Sequence, residues 1–173
     1  MLITDSGSLS MDFESLVRQH EVRVLRLTIR LTGNHADGQD AAQEVFLRLH
    51  QNLSRLHGPE AVLPWLRRVA VNVCFDLGRR ARSRPVVPLD SLTLATGESD
   101  PEAQAFTKES RDQLQRALAQ LGERERTALV LRELEGLSTA EVAETLGTAE
   151  STIRVQIARA RLKLRELLKG VTV

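Results

Sequence analysis

The sequence predicts an all-α protein: two small helical domains, three helices in the first and four in the second, joined by a flexible linker. Three observations lead to that reading. Apolar residues recur at helical spacing through most of the chain, and no strand is predicted anywhere. Hydrophobic residues make up 42% of the 173, yet aromatics are only 3% and Tyr is absent, so Leu, Val and Ala must do the packing, which favours helices. Between Arg82 and Asp100 the periodicity stops, and Pro85, Pro88 and Gly97 appear.

In chain order, residues 1–11 are Ser/Gly-rich and predicted disordered, and Met11 is a second candidate start. Asp12 caps a helix to about Thr32, with Phe13, Leu16, Val17, Val24, Leu27 and Leu31 at helical spacing; Gly33-Asn34 ends it. The second helix is expected to begin between Asp37 and Asp40 and to reach Leu53 or Leu56. It turns Ala41, Val45, Phe46, Leu49 and Leu53 inward, leaving Asp40, Gln43, Glu44, Leu47 and Arg48 elsewhere. Taken alone, acids early in a helix only suit its dipole. Ser54–Leu63 holds Gly58-Pro59 and reads as a loop. Pro64 sits in the first turn of the third helix, where its missing N–H costs little. Trp65, Leu66, Val69, Val73 and Leu77 form the expected buried stripe of that helix, with Trp65 as a packed anchor. Asn72 and Asp76 share a face one turn apart, and Arg79, Arg80, Arg82 and Arg84 form a basic run. The domain divisions are therefore 1–11, 12–81, a linker at 82–100 turning acidic at its end, and 101–173.

In the second domain, Pro101 starts a helix to about Leu121, buried through Ala105 or Phe106, then Leu114, Leu118 and Leu121. Gly122 breaks it. Glu123–Glu135 follows, with Ala128, Leu129, Leu131 and Leu134 apolar, and Gly136 closes it. The stretch Leu137–Leu168 carries the clearest motif. Ser138 and Glu141 have capping-box spacing, Gly147 supplies a left-handed stop, and Thr148 is placed to cap a second helix. Two helices around a tight glycine turn make a helix-turn-helix. The second of them lines up Ile153, Ile157, Ala160, Leu164, Leu167 and Leu168 toward a core. Ser151, Thr152, Val155 and Arg159 fall on the far side, flanked by Arg154 and Gln156. Arginine can pair with guanine, glutamine with adenine, and hydroxyls and helix N-terminal amides with phosphate, so this face suits a major groove.

Net charge is only +1, with the basic residues clustered, so the free protein is expected to bind DNA weakly. The lone Cys74 allows no internal disulfide and reads as a small buried hydrophobe. It has no metal-ligand spacing with His20, His35, His50 or His57, so no metal or other cofactor is expected. Met1–Ser10 lacks the features of a signal peptide, and no apolar run approaches membrane-spanning length, which predicts a cytoplasmic protein with no membrane insertion. No phosphate-cradling glycine loop or nucleophile constellation points to an enzyme. From these residues alone, a stand-alone helix-turn-helix regulator or a partner-sequestering module stays open.

Three segments in one order, DAAQEVFLRLHQNL (Asp40–Leu53), PWLRRVAVNVCFDLGRRARSR (Pro64–Arg84) and LGERERTALVLRELEGLSTAEVAETLGTAESTIRVQIARARLKLRE (Leu121–Glu166), resemble the extracytoplasmic-function (ECF) sigma factors, small two-domain initiation factors of bacterial RNA polymerase. The resemblance covers nearly the whole chain after Met11. It implies that Asp40, Gln43, Glu44 and Arg48 dock on the β′ clamp helices of core RNA polymerase and that the second domain engages the β flap. It also implies that Asn72, Asp76, Arg79 and Arg80 open and read the minus-ten element, with Ser54–Leu63 as the pocket for a flipped base. Ser151, Thr152, Arg154, Gln156 and Arg159 would then read the minus-thirty-five element as duplex, and the acidic linker would thread toward the RNA exit path. An anti-sigma protein is a further partner the resemblance implies. The sequence departs from the family's habit at His50, where a second aromatic is common, and at Val71 and Gly78 in the melting helix. Gly78 is expected to fray that helix's end, at up to about 1 kcal/mol.

Overall fold

A computed structural model describes residues 12–82 and 101–169, with 101–107 as backbone only. It contains seven α-helices and, among the described residues, no strand: α1 (Phe13–Thr32), α2 (His35–Asn52), α3 (Val62–Arg82), α4 (Pro101–Ala119), α5 (Glu123–Leu129), α6 (Thr139–Leu146) and α7 (Glu150–Leu168). The expected linker at 83–100 and N-terminal segment 1–11 lie outside the described residues, as do the side chains of Ala105 and Phe106.

In the first unit α1, α2 and α3 pack pairwise around a core of Leu16, Val24, Leu27, Leu31, Val45, Leu49, Val62, Leu66 and Val73. Each such side chain contributes about 1.5–3 kcal/mol on burial. Asp12 caps α1 through its carboxylate, which accepts from the Ser15 amide at 3.1 Å. The spacing between α1 and α2 is set by Gly38: its buried carbonyl accepts from Thr28 Oγ1 at 2.7 Å, and a Cβ there would stand 2.6 Å from Ile29 Cα. Phe13 meets His50 edge-to-face with ring centroids 4.9 Å apart.

Several expectations are corrected. α2 starts at His35 rather than at Asp37–Asp40, because Asn34 caps it by accepting from the Asp37 amide at 2.8 Å. Ser54–Leu63 is not irregular throughout: Leu53–Arg55 and Pro59–Ala61 are 3-10 turns, and α3 already begins at Val62. Within α3 the buried stripe is Val62, Leu66, Ala70, Val71, Val73 and Cys74, while Trp65, Val69 and Leu77 sit half-buried at its margin. A stripe rotated by that much leaves the tryptophan covering the core's edge. Gly78 does not fray the helix, which runs on to Arg82. Beyond α5 the chain widens into a π-helical turn at Val130–Leu134, in which the Glu135 amide donates to Val130 O at 3.0 Å. That extra residue rotates Leu134 out to 39% exposure, although it reads as apolar core.

Burial pushes the Cys74 thiol up to about 12. Since the thiolate is the reactive form, a thiol-alkylating reagent at pH 8 should leave Cys74 unmodified until the first unit unfolds. Mass spectrometry over a denaturant series checks this; prompt labelling in native buffer would contradict the burial.

Candidate nucleic-acid interface

The helix-turn-helix is built by its caps. Ser138 Oγ accepts from the Glu141 amide at 3.2 Å, and the Glu141 carboxylate accepts from the Ser138 amide at 2.7 Å, closing the capping box. The same Ser138 hydrogen bonds hold the Glu141 carboxyl below its ordinary range. Gly147 turns left-handed at φ 61°; its amide donates to Glu144 O at 3.3 Å and the Thr148 amide to Ala143 O at 3.0 Å. Thr148 is thereby committed to finishing α6. It does not cap α7, contrary to the sequence expectation. Ala149 takes that position, with no side-chain cap for the first amides of α7.

Ile153, Ile157 and Ala160 bury α7 against α5 and α6, and Leu164 is half-buried. Ser151, Thr152, Arg154, Val155 and Arg159 are exposed. The Arg154 guanidinium donates to Glu150 at 2.7 Å within the helix. Gln156 is half-buried, and its Oε1 is enclosed without a hydrogen-bond partner. Two later cations, both exposed, pair with acids outside α7: Arg161 with Glu133 of the 130–134 segment, and Lys163 with Glu125 of α5 at 2.6 Å. The basic run of α7 is therefore split between a reading face and a structural face, a division that sequence counting missed.

On α3, Asn72 is exposed, Asp76 is half-buried and paired with exposed Arg79, and Arg80 is exposed. Asn72, Asp76, Arg79, Gln156, Arg159 and Arg48 converge on one cleft of about 910 Å³ between the two units. Arg80, Ser151, Thr152 and Arg154 do not line it. Two surfaces read from the sequence as separate thus share an opening. The expected β′-docking set is divided as well. Asp40 and Gln43 are exposed on α2 near Leu47, which is 59% exposed, while Arg48 pairs with Glu44 at 2.8 Å and reaches into the cleft.

The most informative residues missed by sequence reasoning join the units. Arg126 is only 9% exposed. Its Nε donates to Leu31 O of α1 at 2.8 Å, and its Nη1 to Leu118 O and Ala119 O of α4 at 3.5 and 3.3 Å. Burial pulls its pKa down, opposed by nearby Glu123. Glu135, with its side chain 5% exposed, accepts from Arg23 at 3.1 Å and Arg67 at 3.3 Å. A charged residue within an otherwise apolar helical pattern normally marks a solvated face, so no local signal announced either residue.

Residues 16–84 match the family model for Sigma-70 region 2, and residues 111–164 that for Sigma-70, region 4. The chain is 35% identical over 156 residues to the ECF RNA polymerase sigma factor SigM of Mycobacterium tuberculosis, a match covering 90% of this chain and 76% of that protein. The chain belongs to the ECF sigma-factor family. The ECF RNA polymerase sigma-E factor of Escherichia coli is 32% identical, over 86% of this chain and 82% of its own length. The fold is that of the sigma factor RpoE co-crystallised with the anti-sigma factor NepR from Bartonella quintana: TM-score 0.71, 21% identity, covering 93% of this chain and 99% of that one. As an ECF sigma factor the protein acts in transcription initiation, and its region 4 match takes in α6 and α7 as far as residue 164. Among the described residues no helix is long and apolar enough to cross a membrane.

Proposed function

We infer that this sigma factor directs core RNA polymerase to its promoters and helps to melt them, making and breaking no covalent bond itself and using no cofactor. Residues 12–81 form the unit that binds core polymerase and handles the minus-ten element. The outward side of α2, with Asp40, Gln43, Glu44 and Arg48, docks on the β′ clamp helices, and the second unit, residues 101–173, engages the β flap. Asn72, Asp76, Arg79 and Arg80 on α3 contact the minus-ten strand, with the 54–63 segment taking a flipped base; displaced single strands need cationic and polar groups of this kind. Ser151, Thr152, Arg154, Gln156 and Arg159 read the minus-thirty-five duplex. Residues 82–100 connect the two units. The protein works in the cytoplasm, and an anti-sigma protein regulates it, as the NepR complex of the Bartonella relative suggests.

One observation carries this reading best. α7 buries Ile153, Ile157 and Ala160 while leaving Ser151, Thr152, Arg154 and Arg159 exposed beside an uncapped helix N-terminus. That is the arrangement a helix needs to enter a major groove, with arginines for guanine edges and amides for phosphate. Replacing Arg154 or Arg159 by Ala should weaken promoter binding by about 1–3 kcal/mol for each arginine that meets a base edge. Run-off transcription with reconstituted holoenzyme, on a promoter selected from a genomic library, measures it. Unchanged output from both variants removes α7 from the promoter.

A further inference from the structure

The outward face of α7 carries one large side chain that no role above uses. Val155 is apolar, yet it lies 49% exposed there. Ser151 and Thr152 stand one turn before it and Arg159 one turn after, so it is at the centre of that group. Ala158, three residues on and also exposed, extends the apolar ground. The buried stripe of Ile153, Ile157 and Ala160 holds α7 to its neighbours, and Val155 belongs neither to the core nor to the side chains at its margin.

Helix preference does not call for valine at this position. A β-branched side chain loses rotamer freedom in a helix, so Glu, Gln, Lys or Arg suits an exposed helical position better. The two residues beside it in sequence are engaged elsewhere. Arg154 donates to Glu150 at 2.7 Å along the helix, and Gln156 is half-buried with its Oε1 enclosed. A surface laid against this part of α7 therefore meets the two γ-methyl groups of Val155, with hydroxyls on one side and a guanidinium on the other.

In a major groove only one base offers a methyl group: thymine, at C5. Cytosine in its place presents the N4 amine, a donor that valine leaves unpaired once water is excluded. The residues that reach base edges in helix-turn-helix docking come from the N-terminal part of the recognition helix, and Val155 stands in the second turn of α7.

Resting on the function proposed above, we propose that Val155 is a specificity-determining residue: its γ-methyl groups pack on the 5-methyl group of a thymine in the minus-thirty-five duplex, while Ser151, Thr152 and Arg159 hold the helix on either side. Such a contact takes about one methyl group of the base out of water, which corresponds to about fourfold in affinity.

Exchange of thymine for deoxyuridine deletes that methyl group and keeps the base pair. The test uses holoenzyme assembled with the full-length chain, on a promoter selected from the genomic library. Each thymine of its minus-thirty-five element, on either strand, is changed singly to deoxyuridine, and competition binding reads affinity. At one position the parent should bind about fourfold more weakly. Val155→Ala should bind the unmodified promoter at least about fourfold more weakly than the parent and should not distinguish thymine from uracil at that position. Alanine is the better helix former, so this variant keeps α7, and thermal melting checks it. An element without thymine, no position at which uracil weakens the parent, or an undiminished uracil effect in Val155→Ala overturns the assignment. Arg154→Ala and Arg159→Ala are measured alongside on the unmodified promoter. If either weakens binding while uracil changes nothing, only the role of Val155 is lost; if neither does, the reading of α7 itself is lost.

Discussion

Arg126→Ala should lower stability by about 3 kcal/mol, which for a chain of this size is roughly a 10 °C fall in melting temperature. Among the described residues the guanidinium has no salt-bridged carboxylate; it bonds instead to three backbone carbonyls at the C-terminal ends of α1 and α4. Carbonyls at a helix end have no partner in their own helix, and the helix dipole adds negative potential there, so a planar cation with several donors satisfies them well. Removing it leaves those oxygens to be rehydrated in a site too crowded for easy access: Gly33, beside it, leaves 3.2 Å to Nη1 for any added Cβ. Arg126→Lys supplies a single point of donation and should recover only part of the loss. Arg126→Met, which restores volume without donors, should recover little. Calorimetry on the three variants decides the matter. A change within about 0.5 kcal/mol for Arg126→Ala, the range of an ordinary surface substitution, would show that the buried bonds carry no stability.

Glu44→Arg should abolish co-purification with core polymerase and leave the fold intact. Glu44 is a surface residue paired with Arg48, one turn on, so its removal costs the folded state little. In the proposed interface the effect is far larger. Reversal both removes an attraction and sets like charges against each other, a penalty of several kcal/mol and hence at least about a hundredfold in affinity. Thermal melting separates the two effects. A variant with the parent's melting curve and the parent's retention on polymerase would mean that α2 docks through another face or not at all.

Local chemistry made much of this fold legible in advance. Ser138, Glu141 and Gly147 are sufficient to build α6, because capping box and left-handed stop act within a few residues of one another. The stripe Ile153, Ile157 and Ala160 is dictated by helical period alone. Features that depend on distant partners were not legible. Arg23 and Arg67 meet Glu135 across separations of 112 and 68 residues, and Arg126 meets Leu31 across 95. Nothing near any of them in sequence distinguishes a buried cation from a solvated one. Thr148 failed for a different reason: the turn that ends α6 takes one residue more than the sequence suggests, so the extended N-cap position falls on Ala149. Trp65 shows the reverse case, in which a large apolar residue is at the edge of the core while the smaller Ala70 and Cys74 are buried.

The π-helical turn at Val130–Leu134 also fixes a bearing. An inserted residue in a helix turns everything beyond it by about 100° about the axis. Shortening this segment by one amino acid would restore an unbroken spiral, carry Glu135 away from its arginine partners and swing the DNA-reading pair to a new direction. The aim of the protein toward a promoter can thus be reset by chain length at a point remote from the bases, without altering a single side chain that meets them.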